Sequence, residues 1–214
     1  KTLLLTGASR GIGHATVKRF SSAGWRGITC SRHPFPEDCP WEAGPEDHIQ
    51  IDLGDPTSTM EAVAEIRSRL KGGKLEALVN NAGISPKGPE GERLSTLTTD
   101  LRDWGKVFHV NFFAPVVLAR GLRVELAAAQ GAIVNVTSIA GLRPMGSSLA
   151  YGMAKAALNA LTEDLAKFHG PVRCNAVAPG LVATPWTSEW VTSTRVSPRS
   201  RRPGGRQRQK IVQW

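Results

Sequence analysis

Tyr151 and Lys155 stand four residues apart in the run SIAGLRPMGSSLAYGMAK, which occupies residues 138–155. On a helix that spacing puts the phenol and the ammonium on one face. An ammonium held there favours the phenolate, so the pair could pass a proton to or from a substrate oxygen. Tyr151 is the sole tyrosine of the chain, and any phenol chemistry has to use it. An ordinary solvated helix can carry the same spacing, so the pair needs support from its surroundings.

A second chemical signal lies near the start. Residues 6–13 read TGASRGIG, with Gly7, Gly11 and Gly13 between a short apolar run and an amphipathic segment. Strand, glycine turn and helix in that order make the place where a parallel α/β sheet binds phosphate. The glycines let the backbone approach a pyrophosphate, and the helix start offers unpaired N–H donors. Tight turns also need glycine, so the three alone are a weak signal. Their spacing is G-x-x-x-G-x-G rather than the commoner G-x-G-x-x-G.

The elements that must carry these residues follow from periodicity. Apolar or β-branched runs at 2–6, 26–31, 48–53, 75–80, 132–136 and 172–177 predict strands. Helical spacing is found at 12–24, 60–70 behind Pro56, and 149–168. A long helical pattern covers 95–129 and contains Pro115, which predicts a kink or break nearby. Strands without polar alternation that alternate with helices imply an α/β fold, a single doubly wound parallel sheet with helices on both faces. One domain over 1–190 is expected, followed by a basic Pro/Gly/Arg-rich tail at 191–214.

Composition narrows the function classes. With 214 residues and 41% hydrophobic content the chain can bury a substantial core. No apolar run reaches the roughly 18 residues of a membrane span, and no secretory leader is read in KTLLLTGASRGIG, so a cytoplasmic location is expected. Cys30, Cys39 and Cys174 have no C-x-x-C spacing, and the histidines show no H-E-x-x-H pattern. Neither a disulfide framework nor a metal site is expected. The formal charge of +9 is uneven: residues 189–214 hold seven basic residues against Glu189. A nearly balanced body argues against nucleic acid as the main partner, and binding through the tail is the lowest-ranked reading.

Taken together, these features resemble the short-chain dehydrogenase/reductase family. Thr6, Gly7, Gly11 and Gly13 match its glycine turn, with Ser9, Arg10 and Ile12 inside the same loop. Asn80, Asn81, Ala82 and Gly83 match its N-N-A-G segment, and Tyr151 and Lys155 its Tyr-x-x-x-Lys pair. Ser138 has the family's separation from the tyrosine, and Asn111 falls where the family places a fourth catalytic residue. Asp52 and Leu53 follow the third strand, and Pro179, Gly180 and Thr184, with Val182 between them, match P-G-x-x-x-T. The resemblance implies a Rossmann-type fold and hydride transfer between a nicotinamide cofactor and a ketone or secondary alcohol. It further implies that Tyr151 is the acid or base, that Lys155 also holds the nicotinamide ribose, that Ser138 bonds the substrate oxygen, and that Asn111 holds a water in a proton relay. The residues named from the glycine turn, 52–53, 80–83 and 179–184 would contact the cofactor.

Charge bears on which cofactor. An acidic residue after the second strand would bond the ribose 2′-OH of NAD, whereas an arginine accommodates a 2′-phosphate. Here Ser31 and Arg32 stand at that place, with Arg10 a second cation, and NADP(H) is the expectation. For substrate, Met145, Trp186 and Trp190 suit an apolar carbonyl compound, while Arg143 could meet an acidic group such as a phosphopantetheine. A 3-oxoacyl-carrier-protein reductase is therefore one assignment. The family's usual continuation, a further helix and a last sheet strand, is not recognisable after about residue 190, which leaves open a binder that does not turn over. Two long helices of the kind the family uses for dimer packing remain, so a homodimer or homotetramer is expected.

Overall fold

The computed structural model describes residues 1–35, 44–184 and 186. The expected tail at 191–214, Trp190 and Cys39 lie outside the described residues.

Six strands form one parallel sheet: β1 (Thr2–Thr6), β2 (Arg26–Ser31), β3 (His48–Gln50), β4 (Ala77–Asn80), β5 (Ala132–Val136) and β6 (Arg173–Val177). Their order is β3-β2-β1-β4-β5-β6, and every pairing is parallel. The order reverses between β1 and β4, and a crevice opens at the carboxyl ends of those strands. The unalternating run in β1 has its reason here. Leu4 faces one layer with Ile28, Leu78 and Ile133, while Leu3 and Leu5 face the other with Val17 and Val79, and all three leucines are fully buried.

The first layer is covered by α2 (Pro56–Leu70), α4 (Ala114–Gly121), α5 (Arg123–Ala128) and the C-terminal half of α6 (Leu149–Phe168), which supply Ile66, Leu118, Leu126 and Leu165. On the second, α1 (Gly11–Ser21) packs through Val17 and Phe20 beside Trp25 and Phe35. A third cluster joins α3 (Leu101–Phe108) to the start of α6: Val107 meets Ala150, Tyr151 and Ala154. Among the described residues, no helix is long and apolar enough to cross a membrane.

Helix starts follow their capping residues. Asp55 accepts from the Thr57 amide ahead of α2, Asp100 from that of Arg102 ahead of α3, and Ser148 from that of Tyr151 ahead of α6. The long helical pattern at 95–129 is corrected in two ways. Residues 95–99 fold on themselves through Ser95 and Thr98 instead, and α3 begins at Leu101. The break near Pro115 is a π-helical turn, His109–Phe113, followed by a second interruption at Leu122. Pro115 has no N–H to give the carbonyl of Asn111, so the helix widens one turn before it. The third and fourth strands are also shorter than expected. The third stops where the Asp52 carboxylate takes the Gly54 amide and turns the chain.

Candidate active site

A cleft of about 680 Å³ lies over the carboxyl ends of the central strands. Its floor is the glycine turn between β1 and α1. Gly7 has φ +73°, a region unfavourable to side chains. A Cβ on Gly13 would lie 2.1 Å from the Gly7 carbonyl oxygen, so only glycine lets helix and turn meet this closely. Arg10 precedes α1 in extended conformation and makes no side-chain cap, which leaves the first-turn amides facing the cleft. Ser9, Arg10, Gly11 and Ile12 line this part of it. The arrangement fits a dinucleotide: a backbone cradle without side chains, at an uncapped helix start.

The turn is tied to β4 across the sheet. The Thr6 hydroxyl accepts from the amides of Asn81 and Ala82 (3.1 and 3.0 Å), and the Asn81 side chain donates to the carbonyls of Thr6 and Gly7, both at 3.0 Å. Thr6 and Asn80, both expected as cofactor contacts, are not among the residues that line the cleft. The Thr6 hydroxyl accepts from those two amides, and the Asn80 amide donates to Asn135 Oδ1, while the Asn135 amide nitrogen donates to the Thr162 hydroxyl of α6. Their contribution is to shape the wall.

At the outer end, Ser31, Arg32, Asp52 and Leu53 line the cleft together with His33, Lys106 and Val110. The Ser31 hydroxyl turns inward and donates to the His33 carbonyl at 2.8 Å, while Arg32 brings a guanidinium to this turn of the cleft lining. Lys106 and Val110 lie beside Gly54. They were not singled out from the sequence, because nothing local marks a residue of α3 as a neighbour of one fifty positions earlier.

At the inner end, Ser138, Tyr151 and Lys155 share one wall, with Asn111 directly behind it. Ser138 begins the 3₁₀ turn Ile139–Gly141, which sits on α6 in backbone contact: a Cβ on Gly141 would be 2.7 Å from the Lys155 carbonyl carbon, and one on Gly152 3.0 Å from the Ala140 oxygen. These two glycines set the distance from Ser138 to the phenol, which the serine hydroxyl reaches. Neither was read as part of the site. A Cβ on Gly83 would be 2.9 Å from Asn111 Oδ1 and 3.7 Å from Lys155 Nζ, so both groups converge beside Gly83. The Asn111 amide nitrogen donates to the Ile84 and Val107 carbonyls, each at 2.9 Å, while its buried Oδ1 has no partner. Trp186 crosses the Tyr151 ring edge-on, centroids 5.9 Å apart.

The electrostatics differ from the expectation that Lys155 lowers the phenol. Burial pushes Tyr151 up, and the Ser138 hydrogen bond only partly offsets it. Lys155, 2% exposed, is pushed down to about 7 by the same loss of hydration; its Nζ donates to the Val136 carbonyl at 2.7 Å and lies 5.7 Å from the Tyr151 ring centre. Pro179, Gly180, Val182 and Thr184 line the opposite lip, and the Thr184 side chain would be 3.4 Å from a Cβ on Gly11.

Comparison with known proteins agrees with this geometry. The short chain dehydrogenase profile matches residues 1–195. Protein FixR of Bradyrhizobium diazoefficiens is 57% identical over 189 residues, 86% of this chain and 68% of that protein. Meso-2,3-butanediol dehydrogenase of Serratia marcescens is 30% identical over 91% of this chain and 76% of its own length. Among solved structures, a Brucella ovis oxidoreductase of the short chain dehydrogenase/reductase family, in complex with a partially ordered NAD, superposes with a TM-score of 0.81 at 61% identity, over 85% of this chain and 84% of that one. A 4-hydroxyisoleucine dehydrogenase complexed with NADH gives 0.72 at 28% identity, over 90% and 81%. With a glycine cradle at the switch point of a six-stranded parallel sheet and a profile match over most of its length, the chain belongs to the short-chain dehydrogenase/reductase family, oxidoreductases that act on alcohols and ketones with a nicotinamide cofactor.

Proposed function

We propose that the protein interconverts a ketone and a secondary alcohol with NADP(H) as the preferred coenzyme. The observation that carries the reaction type is the convergence of Ser138, Tyr151, Lys155 and the unpartnered Asn111 Oδ1 at one end of a cleft whose other end is a phosphate cradle. A nicotinamide coenzyme in that cleft supplies or accepts the hydride.

In the reductive direction the Tyr151 phenol gives its proton to the forming alkoxide, and Ser138 donates a hydrogen bond to the same oxygen. A high phenol pKa suits the acid role, because burial keeps the proton on until an alkoxide is there to take it. Lys155 stands close enough to restore the proton through a water held by Asn111 Oδ1, a buried acceptor without a donor. With a pKa of about 7, Lys155 can give up and regain a proton near neutral pH.

Arg32 supports NADP(H), since its guanidinium sits at the end of β2 while the Ser31 hydroxyl is committed to backbone. The competing coenzyme reading, NAD(H), is favoured by the NAD found with the Brucella ovis relative. The substrate end is bordered by Ile84, Met145, Leu181 and Trp186, which suits a small ketone with apolar substituents. Arg143 is exposed and outside the cleft lining, so the 3-oxoacyl-carrier-protein assignment rests on no residue of the pocket.

Steady-state kinetics with NADPH and NADH on a panel of ketones tests both parts. A higher kcat/KM with NADPH that Arg32→Ala removes is expected, and a clear NADH preference would overturn the coenzyme assignment. Tyr151→Phe should abolish turnover while leaving coenzyme binding intact; retained turnover would overturn the acid.

A further inference from the structure

The turn at residues 31–33 makes the coenzyme-selecting corner of the cleft, and side chains of the neighbouring edge strand hold it together with its own Ser31. His48 of β3 bonds the His33 carbonyl through Nε2 at 2.9 Å. A carbonyl only accepts, so Nε2 carries the proton, and in that tautomer Nδ1 accepts from the Thr29 hydroxyl 2.8 Å away. The Ser31 hydroxyl lies 3.3 Å from the same Nε2 and donates to the same carbonyl. Two positions along β3, Gln50 donates its amide to the Arg32 carbonyl at 3.1 Å. Consecutive carbonyls of the turn are thus each fixed by one β3 side chain.

The hold continues outward. Phe35 meets the His48 ring edge-on at 5.9 Å. Arg69 of α2 donates to the carbonyls of His48 and Glu46 and is paired with Glu65, so β3 is clamped to α2 at its entry. Arg26 and Asp47 join β2 to the same entry through an ion pair. The register pairs Thr29 with His48 and Ser31 with Gln50, which brings both β3 side chains to the turn.

We infer that His48 and Gln50 are positioning residues for coenzyme selection, fixing the backbone of residues 31–33 so that Arg32 is presented to the ribose 2′ position. Neither residue lines the cleft; each acts through the turn. This rests on the coenzyme reading above, and the test separates the two. A guanidinium on a turn free to move must be ordered when the coenzyme binds, and that cost falls on affinity and not on the hydride step.

The test compares His48→Ala, His48→Gln, Gln50→Ala and Arg32→Ala with the parent, using NADPH and NADH at saturating ketone and thermal melts alongside. His48→Ala is expected to raise KM for NADPH about tenfold, the effect of one lost hydrogen bond, with kcat within roughly twofold and the NADPH/NADH preference reduced. Glutamine at 48 keeps an amide donor and should recover most of the affinity. Gln50→Ala, at an exposed strand position, carries the same test without touching the core and should raise KM a few-fold, by about 3-fold. A fall in kcat with unchanged KM, an unchanged preference in both alanine variants, or no recovery in His48→Gln would overturn the inference. If Arg32→Ala leaves the preference unchanged, the NADP(H) reading fails by itself; the positioning role is then judged on the KM of whichever coenzyme the parent uses.

Discussion

Replacing Lys155 by methionine should stabilise the fold at mildly acidic pH while abolishing turnover. The ammonium is 2% exposed, and burial depresses its pKa from 10.5 to about 7. Below pH 7 the lysine is charged in both states and the full burial cost is present, on the order of 5 kcal/mol against the folded protein. Between about 7 and 10.5 the unfolded chain binds the extra proton, so the cost shrinks as pH rises. Methionine removes this cost at every pH, but it also removes the 2.7 Å hydrogen bond to the Val136 carbonyl, worth about 2 kcal/mol. The difference predicts a gain of roughly 2–3 kcal/mol at pH 6, which fades to near zero by about pH 9. In a chain of this size the gain at pH 6 corresponds to a melting point raised by roughly 5–10 °C. Urea unfolding of parent and variant at pH 6, 7.5 and 9, followed by circular dichroism, measures it. A stability difference that does not change across this range, or a variant less stable at pH 6, would refute the claim that Lys155 is held in the site against its own hydration.

Other expectations concern how the site is positioned. Gly13→Ala places a Cβ 2.1 Å from the Gly7 carbonyl oxygen. It should cost about 1–3 kcal/mol of stability and abolish coenzyme binding, read by the fluorescence of NADPH on titration. Ser148→Ala removes the cap that bonds the Tyr151 amide at 3.2 Å. A loss of about 1 kcal/mol in urea unfolding is expected, together with a lower kcat, because the phenol rides on the first turn of α6. Thr162→Val takes away the acceptor of the Asn135 amide, 2.9 Å away in the interior. Unfolding should register about 1–3 kcal/mol, with KM for the coenzyme nearly unchanged.

The sheet and most helices were legible because strands buried on both faces announce themselves by unbroken apolar runs, as in Leu3, Leu4 and Leu5. The glycine turn and the tyrosine–lysine pair were legible through local spacing. What escaped was set by contacts distant in sequence. The inward turn of Thr6 and Asn80 depends on partners in other strands, which the local motif does not reveal. Lys106 and His48 carry no local mark of their position beside the cleft or the turn at residues 31–33. The phenol's environment was misread for a related reason: spacing puts a charge near Tyr151 but says nothing of burial, and burial dominates both groups.

The bonds from Thr6 to Asn81 and Ala82 span about seventy-five positions of chain. They set an order of assembly. During synthesis the glycine turn emerges early, yet it cannot take its final shape until β4 has been made and has docked beside β1, carrying with it the loop closure between them. A nascent chain ending before residue 80 therefore holds the glycine turn without the means to fix it. Once β4 is in place, a coenzyme that needs the finished turn stabilises only chains whose central strands have paired.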